Sequence, residues 1–292
     1  MKKILITGAN SYLGGSFERY VQQWPERYQV DTVDMIDGSW RDMSFRGYDS
    51  IYHVAGIAHS DHGRLSEEQT RVYYRVNRDL AIETAAKAKA DGVKQFIFMS
   101  SVIVYGRSAP IGQVKVITKD TPVCPSNAYS DSKYQAEKGI LELQDETFKV
   151  VILRPPMVYG EGCKGNYPIL AKYARKLPVF PNIENHRSML YIGNLMEFVR
   201  LMVENEEQGT FYPQNSEYSN TAQLVQIIAR LHGKNVRLVK GFGWALKLLS
   251  HVTPLVNKAF GGLCYSKEMS AYREDYNRYG LEESIKKTEG IQ

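Results

Sequence analysis

Lys3-Ile4-Leu5-Ile6-Thr7-Gly8-Ala9-Asn10-Ser11-Tyr12-Leu13-Gly14 carries a short apolar run straight into a glycine turn. The run has the character of a buried parallel strand, and the residues after the turn open a helix that Pro25 stops. At such a junction one glycine makes the tight turn and another lets the helix pack close to the strand. The free N–H groups of the helix then face a pyrophosphate. Gly8 and Gly14 hold the outer glycine positions and Ser11 replaces the middle one, so the fingerprint of Gly8, Ser11, Tyr12, Leu13 and Gly14 is imperfect. Asp34 lies 20 residues beyond Gly14, at the end of a second strand, Tyr28–Val33. A carboxylate there accepts hydrogen bonds from ribose hydroxyls and repels a 2′-phosphate, which points to NAD rather than NADP. Asp31 and Asp37 are poorer placements for that role.

Further strands at Ile51–Val54, Gln95–Met99 and Lys149–Leu153 alternate with helices at Glu67–Ala90 and Ala128–Glu142. This alternation implies a doubly wound parallel sheet with helices on both faces. Beyond residue 160 the pattern loosens around Pro168, Pro178, Pro181 and Pro213, with helices near Asn194–Glu204 and Thr221–His232. The expected architecture is α/β. A Rossmann-type NAD-binding domain occupies 1–160, with the chain crossing back later, and a smaller α+β substrate lobe occupies mainly 161–292, at the sheet edge where ligands bind. Gly241–Tyr265, rich in Trp, Leu and Phe, is expected to cover the substrate lobe as a helix interrupted by Pro254. Its alternative reading is an amphipathic helix in weak association with a membrane surface.

Composition narrows the class. With 43% hydrophobic and 24% charged residues in a chain of 292, disordered, collagen-like and disulfide-scaffold proteins are excluded. Three separated cysteines, Cys124, Cys163 and Cys264, make neither a disulfide framework nor a paired zinc site. No His/Asp/Glu cluster has metal spacing, so no metal is expected. Met1–Ile6 resembles a signal peptide for six residues and then meets Thr7-Gly8 with no cleavage motif. No stretch reaches the ~20 apolar residues of a membrane span. The expected compartment is therefore the cytoplasm. A net charge of +5, dispersed along the chain, suits an anionic small molecule better than nucleic acid.

The string Phe98-Met99-Ser100-Ser101-Val102-Ile103-Val104-Tyr105-Gly106 closes the fourth strand, and Tyr129-Ser130-Asp131-Ser132-Lys133 follows on a helix. Tyr129 and Lys133, four residues apart, share one helix face. A phenol is a poor base, with an ordinary pKa near ~10. A lysine cation beside it, with the positive nicotinamide ring nearby, is expected to favour the phenolate and pull that value down, so that Tyr129 takes a proton from a sugar hydroxyl as hydride leaves for the cofactor. Ser101 would hydrogen-bond the same oxygen. His53 and His59 sit near strand ends and read as structural, and Cys163 receives no nucleophilic role.

With Thr7–Gly14, His53–Gly56, Val76-Asn77, Ser100–Gly106, Tyr129–Lys133, Leu153–Gly160 and Arg187–Leu195 in this order, the chain resembles an extended short-chain dehydrogenase/reductase of the NAD-dependent epimerase/dehydratase family. The resemblance covers residues 1–240. It implies that Asp42 and Met43 flank the adenine, that Ala55 and Pro156 contact the cofactor, that Asn77 supports the active-site helix, and that Lys133 also holds the nicotinamide ribose. It further implies a nucleotide-linked sugar as substrate and a homodimer built on a four-helix bundle from the 67–90 helix and the Tyr129 helix.

Family members that eliminate water carry Asp-Glu after the serine, decarboxylases a Glu at the second position, and 3,5-epimerase/reductases a Cys. Here the positions are Val102 and Ile103, which transfer no proton. What survives is hydride and proton transfer at one carbinol: a nucleotide-sugar 4-epimerase or a 4-reductase of a 4-keto-6-deoxy sugar. The sequence resembles a branch with both activities in bacterial surface-polysaccharide synthesis, and the epimerase is the favoured expectation. UDP-galactose 4-epimerases differ at two positions, with Asn where this chain has Met157 and usually Asp where it has Gly193. Arg187 is the first candidate for the nucleotide diphosphate, since a guanidinium holds phosphate oxygens bidentately, with Lys164 and Asn166 as helpers. A non-catalytic dinucleotide-binding regulator would have no need of the Ser101/Tyr129/Lys133 set.

Overall fold

The computed structural model describes residues 1–57, 65–252 and 254–291. His59 lies outside them. The chain divides into two units: residues 1–106, 122–155 and 196–212 form the first, and 107–121, 156–195 and 213–292 the second. It passes between them five times. One of these crossings, at 155/156, lies close to the boundary placed at 160 on sequence.

The first unit is a six-stranded parallel sheet. Its strands are β1 (Lys2–Thr7), β2 (Tyr28–Val33), β3 (Ser50–His53), β4 (Gln95–Met99), β5 (Lys149–Leu153) and β6 (Gly209–Phe211), in the spatial order β2-β1-β3-β4-β5-β6. Every pairing is parallel. Parallel strands need crossovers, supplied by α1 (Tyr12–Val21), α2 (Glu67–Tyr74), α3 (Leu80–Ala90), α4 (Ala128–Leu141) and most of α5 (Ile192–Glu204). The direction of winding reverses at β1, which has β2 on one side and β3 on the other. That places a crevice at the carboxyl ends of β1 and β3. Ile51, Phe96, Phe98, Val150 and Ile152 are fully buried against Ala81, Ala85, Ala136 and Ile140 of α3 and α4. The small alanines let those helices approach the sheet closely.

The Glu67–Ala90 helix expected from the sequence is interrupted. Between α2 and α3, Arg75–Asp79 forms a π turn, a local widening that recurs at functional sites. It turns Asn77 inward, where it is completely buried.

The second unit is built from short parallel strand pairs: Val114–Ile117 with Gly262–Tyr265, Val179–Pro181 with Arg237–Val239, and Met157–Tyr159 with Met189–Tyr191. Helices Asn166–Ala174, Thr221–Leu231 and Leu281–Thr288 share its core of Tyr159, Tyr167, Val225, Ile228 and Ile285. Gly193 has a packing reason here. A Cβ would lie 2.6 Å from the Tyr191 ring and 2.9 Å from Tyr279, so no side chain fits between these two rings.

The Gly241–Tyr265 stretch forms helices Gly243–Val252 and Pro254–Phe260. Leu246, Val256 and Phe260 pack into the core of this unit as expected of a covering helix, while Trp244, Leu248 and Leu249 face outward. Among the described residues, no helix is long and apolar enough to cross a membrane.

Candidate active site

The turn after β1 shows why its glycines cannot be replaced. Gly8 has φ +116°, and a Cβ there would lie 2.8 Å from the backbone N of Ala55, just beyond β3. A Cβ on Gly14 would lie 2.7 Å from the Ser11 hydroxyl and 2.9 Å from Ile6. Ser11 needs no glycine-like backbone, at φ −72°; its hydroxyl caps α1 by accepting from the Gly14 N–H at 3.1 Å. The departure from the three-glycine pattern thus supplies an N-cap and keeps the positive end of α1 at the mouth of the crevice.

A cleft of about 600 Å³ opens there, lined among others by Gly8, Ser11, Asp34, Ala55, Arg41 and Glu83. Asp34 is exposed, and its Oδ1 accepts the Ile36 N–H at 2.7 Å, a local turn that fixes the carboxylate. The cleft's far end is formed by Met35, Ile36 and Leu80 with the Arg41–Glu83 ion pair, Nε–Oε1 at 2.5 Å and Nη2–Oε2 at 2.6 Å. Asp42 is exposed, Met43 packs against the core, and Pro156 is buried. The cleft's size, its helix N-terminus, the cradle that a Cβ at Gly8 would fill and the exposed acid fit a dinucleotide with an unmodified ribose.

Ser101, Tyr129 and Lys133 come together on the same unit. Asn127 caps α4 reciprocally with Ser130, the Ser130 N–H donating to its side chain at 2.8 Å and the Ser130 hydroxyl accepting the Asn127 N–H at 3.1 Å. This places Tyr129 in the first turn and Lys133 one turn later. Ser101 hydrogen-bonds the Tyr129 phenol, while its own oxygen accepts the Ile103 N–H at 3.3 Å. The Lys133 ammonium donates to the Met99 carbonyl at 2.9 Å and sits 4.6 Å above the Phe98 ring. Asn77 exchanges hydrogen bonds with the Ile57 backbone at 2.9 and 3.1 Å and donates to Ser132 of α4 at 3.3 Å.

The electrostatics of the chain alone set the starting point for the expected phenolate. Burial pushes the Tyr129 phenol above its ordinary pKa, the Ser101 hydrogen bond opposes this, and the neighbouring Tyr73 adds to the rise. In the chain alone desolvation wins, so Lys133 does not by itself bring the phenol down. Lys133 in turn is lowered to about 8, chiefly by burial, with Glu137 holding it up. The sign follows from linkage. As pH falls, the unfolded lysine takes its proton near its ordinary 10.5 and the folded one only near 8. Lys133 therefore subtracts from stability below pH 8, and that cost disappears as pH rises from 8 to 10.5. In cofactor-free protein the Lys133 ε-carbon resonance is expected to titrate near pH 8, and Glu137→Gln to move the midpoint lower; a midpoint near 10.5 would contradict this reading.

The support of this site lies in residues not expected from the sequence. Glu137, 1% exposed, lies one turn beyond Lys133 and pairs with Arg154 at the end of β5, Nη2–Oε2 2.6 Å. The Ser100 hydroxyl donates to the same carboxylate, and Arg154 Nη1 donates to the Tyr105 hydroxyl at 2.8 Å. Only half of the signal lies in the spacing: Tyr129, Lys133 and Glu137 repeat every four residues on one helix face, but nothing local marks Arg154 as the partner.

His53 is structural in its contacts. It is fully buried, its Nδ1 lies 2.7 Å from the Thr7 hydroxyl, and burial with the Lys133 charge lowers it to about 3. Burial also raises the Cys163 thiol, which disfavours a thiolate.

In the second unit, Arg187 is half-buried, bridged through its backbone to Ser219 at 3.0 and 2.9 Å, and donates from Nη1 to the Ala259 carbonyl at 3.2 Å. Desolvation lowers its pKa. Lys164 and Asn166 are exposed, in and just after the turn that opens helix Asn166–Ala174.

Residues 4–213 match the model of the NAD-dependent epimerase/dehydratase family, and the chain belongs to that family. It is an enzyme of this family, and its cofactor is NAD. The chain is 28% identical over 249 residues to a UDP-glucose 4-epimerase of Vibrio cholerae, covering 78% of this chain and 75% of that one. It is 30% identical over 191 residues to the N-acetyl-alpha-D-glucosaminyl-diphospho-ditrans,octacis-undecaprenol 4-epimerase of Escherichia coli O157:H7, covering 64% of this chain and 54% of that one. A dTDP-glucose 4,6-dehydratase of Bacillus anthracis solved with NAD shares the fold, with TM-score 0.73 at 16% identity over 99% of this chain and 95% of that one.

Proposed function

We propose that this enzyme is a nucleotide-sugar 4-epimerase, acting on a UDP-hexose or UDP-N-acetylhexosamine in surface polysaccharide synthesis. The observation that carries the reading is the Ser101/Tyr129/Lys133 set followed by aliphatic Val102 and Ile103. The site has one proton-transfer group at one carbon and nothing at the positions where an eliminating enzyme keeps its acid and base. Both named relatives are 4-epimerases.

In this reading Ser101 holds the C4 hydroxyl and Tyr129 takes its proton. Gly8, Ser11 and Asp34 would hold NAD, which would supply a reversible hydride acceptor for C4. Tyr129 then gives the proton back. Because burial keeps the phenol protonated in the chain alone, Tyr129 works as a base only once positive charge accumulates beside it. Lys133 supplies part of that charge, and its own lowered pKa makes the supply pH-dependent. Asn77 and the Glu137–Arg154 pair fix α4 so that the phenol stays in line. Arg187 would hold the diphosphate, whose charge offsets the desolvation of the guanidinium.

The test is incubation with catalytic NAD and UDP-glucose, UDP-GlcNAc or their galacto epimers, read by proton NMR. Interconversion at C4 without net NADH change is expected. Consumption of NADH on a 4-keto-6-deoxy sugar, with no epimer formed from any of the four, would replace the epimerase by a reductase.

A further inference from the structure

The fifty residues Tyr218–Lys267 hold seven Lys or Arg and no Asp or Glu, while the remainder of the chain carries more acidic than basic residues. Within them, helix Gly243–Val252 exposes Trp244 to 71%, Leu248 to 64% and Leu249 to 46%, and Phe242 just before it is 52% exposed. Trp244 and Leu248, one turn apart, share a face, and Leu249 lies beside them. Leu246 on the other side packs into the core, so the helix is already anchored and its outer face is additional apolar surface. Exposed Lys247 flanks this stripe, and exposed Arg237 and Lys240 precede it. Large aliphatic and aromatic side chains bordered by cations, with no carboxylate on the helix itself and Glu184 lining the cleft beside Lys247, match a helix that lies in a lipid interface.

We propose that helix Gly243–Val252 docks on an anionic bilayer surface. Trp244, Leu248 and Leu249 enter the headgroup–acyl boundary, and Arg237, Lys240 and Lys247 meet lipid phosphates. A second copy of this chain is a poor occupant, because a two-fold contact through this face would set the same cations against themselves. A cleft of about 550 Å³ in the same unit is lined by Gly243 and Lys247 of this helix and by Asn182–His186, the residues just before Arg187. Docking would bring that cleft to the lipid surface. The proposal rests on this unit's surface and is independent of the C4 chemistry.

The experiment is sedimentation with phosphatidylcholine vesicles with and without phosphatidylglycerol, alongside tryptophan emission. Trp40 is fully buried and Trp24 half-buried, so a blue shift reports Trp244. The expected result is pelleting that requires phosphatidylglycerol, weakens with salt, and is accompanied by the blue shift. Charge reversal at Lys240 should weaken it by about fivefold or more, the share of one surface cation. The triple variant Trp244→Ser, Leu248→Ser, Leu249→Ser should lose pelleting and keep its melting temperature and NAD binding, since these side chains are exposed. No pelleting with phosphatidylglycerol, or pelleting that the triple variant retains, overturns the proposal. So does a wild-type dimer that the triple variant converts to monomer in light scattering.

Discussion

Replacing Tyr129 with phenylalanine should lower turnover by roughly a hundred- to ten-thousandfold, the usual span for removing a positioned acid–base group. The phenol's fixed points survive the change. Asn127 and Ser130 still cap α4, and Lys133 still donates to Met99. NAD affinity should therefore stay near that of the wild type, and so should thermal stability, because only a hydroxyl is lost. Turnover and NAD binding measured on the same preparation check this. Unchanged turnover would remove Tyr129 from the mechanism, and lost NAD binding would assign it a cofactor-holding role instead.

The second large effect is on stability. Arg154→Met should destabilise the protein by about 3–5 kcal/mol, the cost of leaving one charge of a buried pair uncompensated. Glu137 is 1% exposed and Arg154 8%, so neither water nor salt can substitute for the partner. Methionine fills much of the arginine stem's volume, so the loss reports the carboxylate rather than a cavity. The double variant Arg154→Met, Glu137→Gln should recover part of the stability by removing the stranded charge. A thermal melt of the three proteins decides the point. Equal midpoints for wild type and Arg154→Met would show that the pair does not hold α4 to β5.

Much of the first unit was legible because it is locally encoded. The strand–turn–helix of Lys2–Val21 announces itself through an apolar run and a glycine that makes the tight turn, whereas the capping role of Ser11 appeared only in the fold. Tyr28–Val33, Gln95–Met99 and Lys149–Leu153 fall where the apolar runs placed them. What escaped depends on residues far apart in the chain. The three-residue strand Gly209–Phe211 is too short to show a period and exists because it pairs with β5. Gly262–Tyr265 pairs with Val114–Ile117, nearly 150 residues away, and no window of sequence contains both.

The π turn at Arg75–Asp79 was hidden because it contains no Gly or Pro to break the helical pattern. It is recognisable only once Asn77 is seen bonded to Ile57 and Ser132. The candidate site divides the same way. Tyr129 and Lys133 were visible as a spaced pair, whereas the Glu137–Arg154 pair joins a helix to a strand and appears only when they pack. The rise of the Tyr129 pKa in the chain alone was not legible, because charge proximity can be read from spacing and burial cannot.

The most direct test of the central claim uses a UDP-sugar deuterated at C4 in the epimerase assay. Transient oxidation at C4 with return of the same hydride predicts an epimer that keeps its deuterium at C4, with none appearing at C3 or C5. Epimer that has lost the C4 deuterium to solvent, or exchange at C5 instead, would contradict the account.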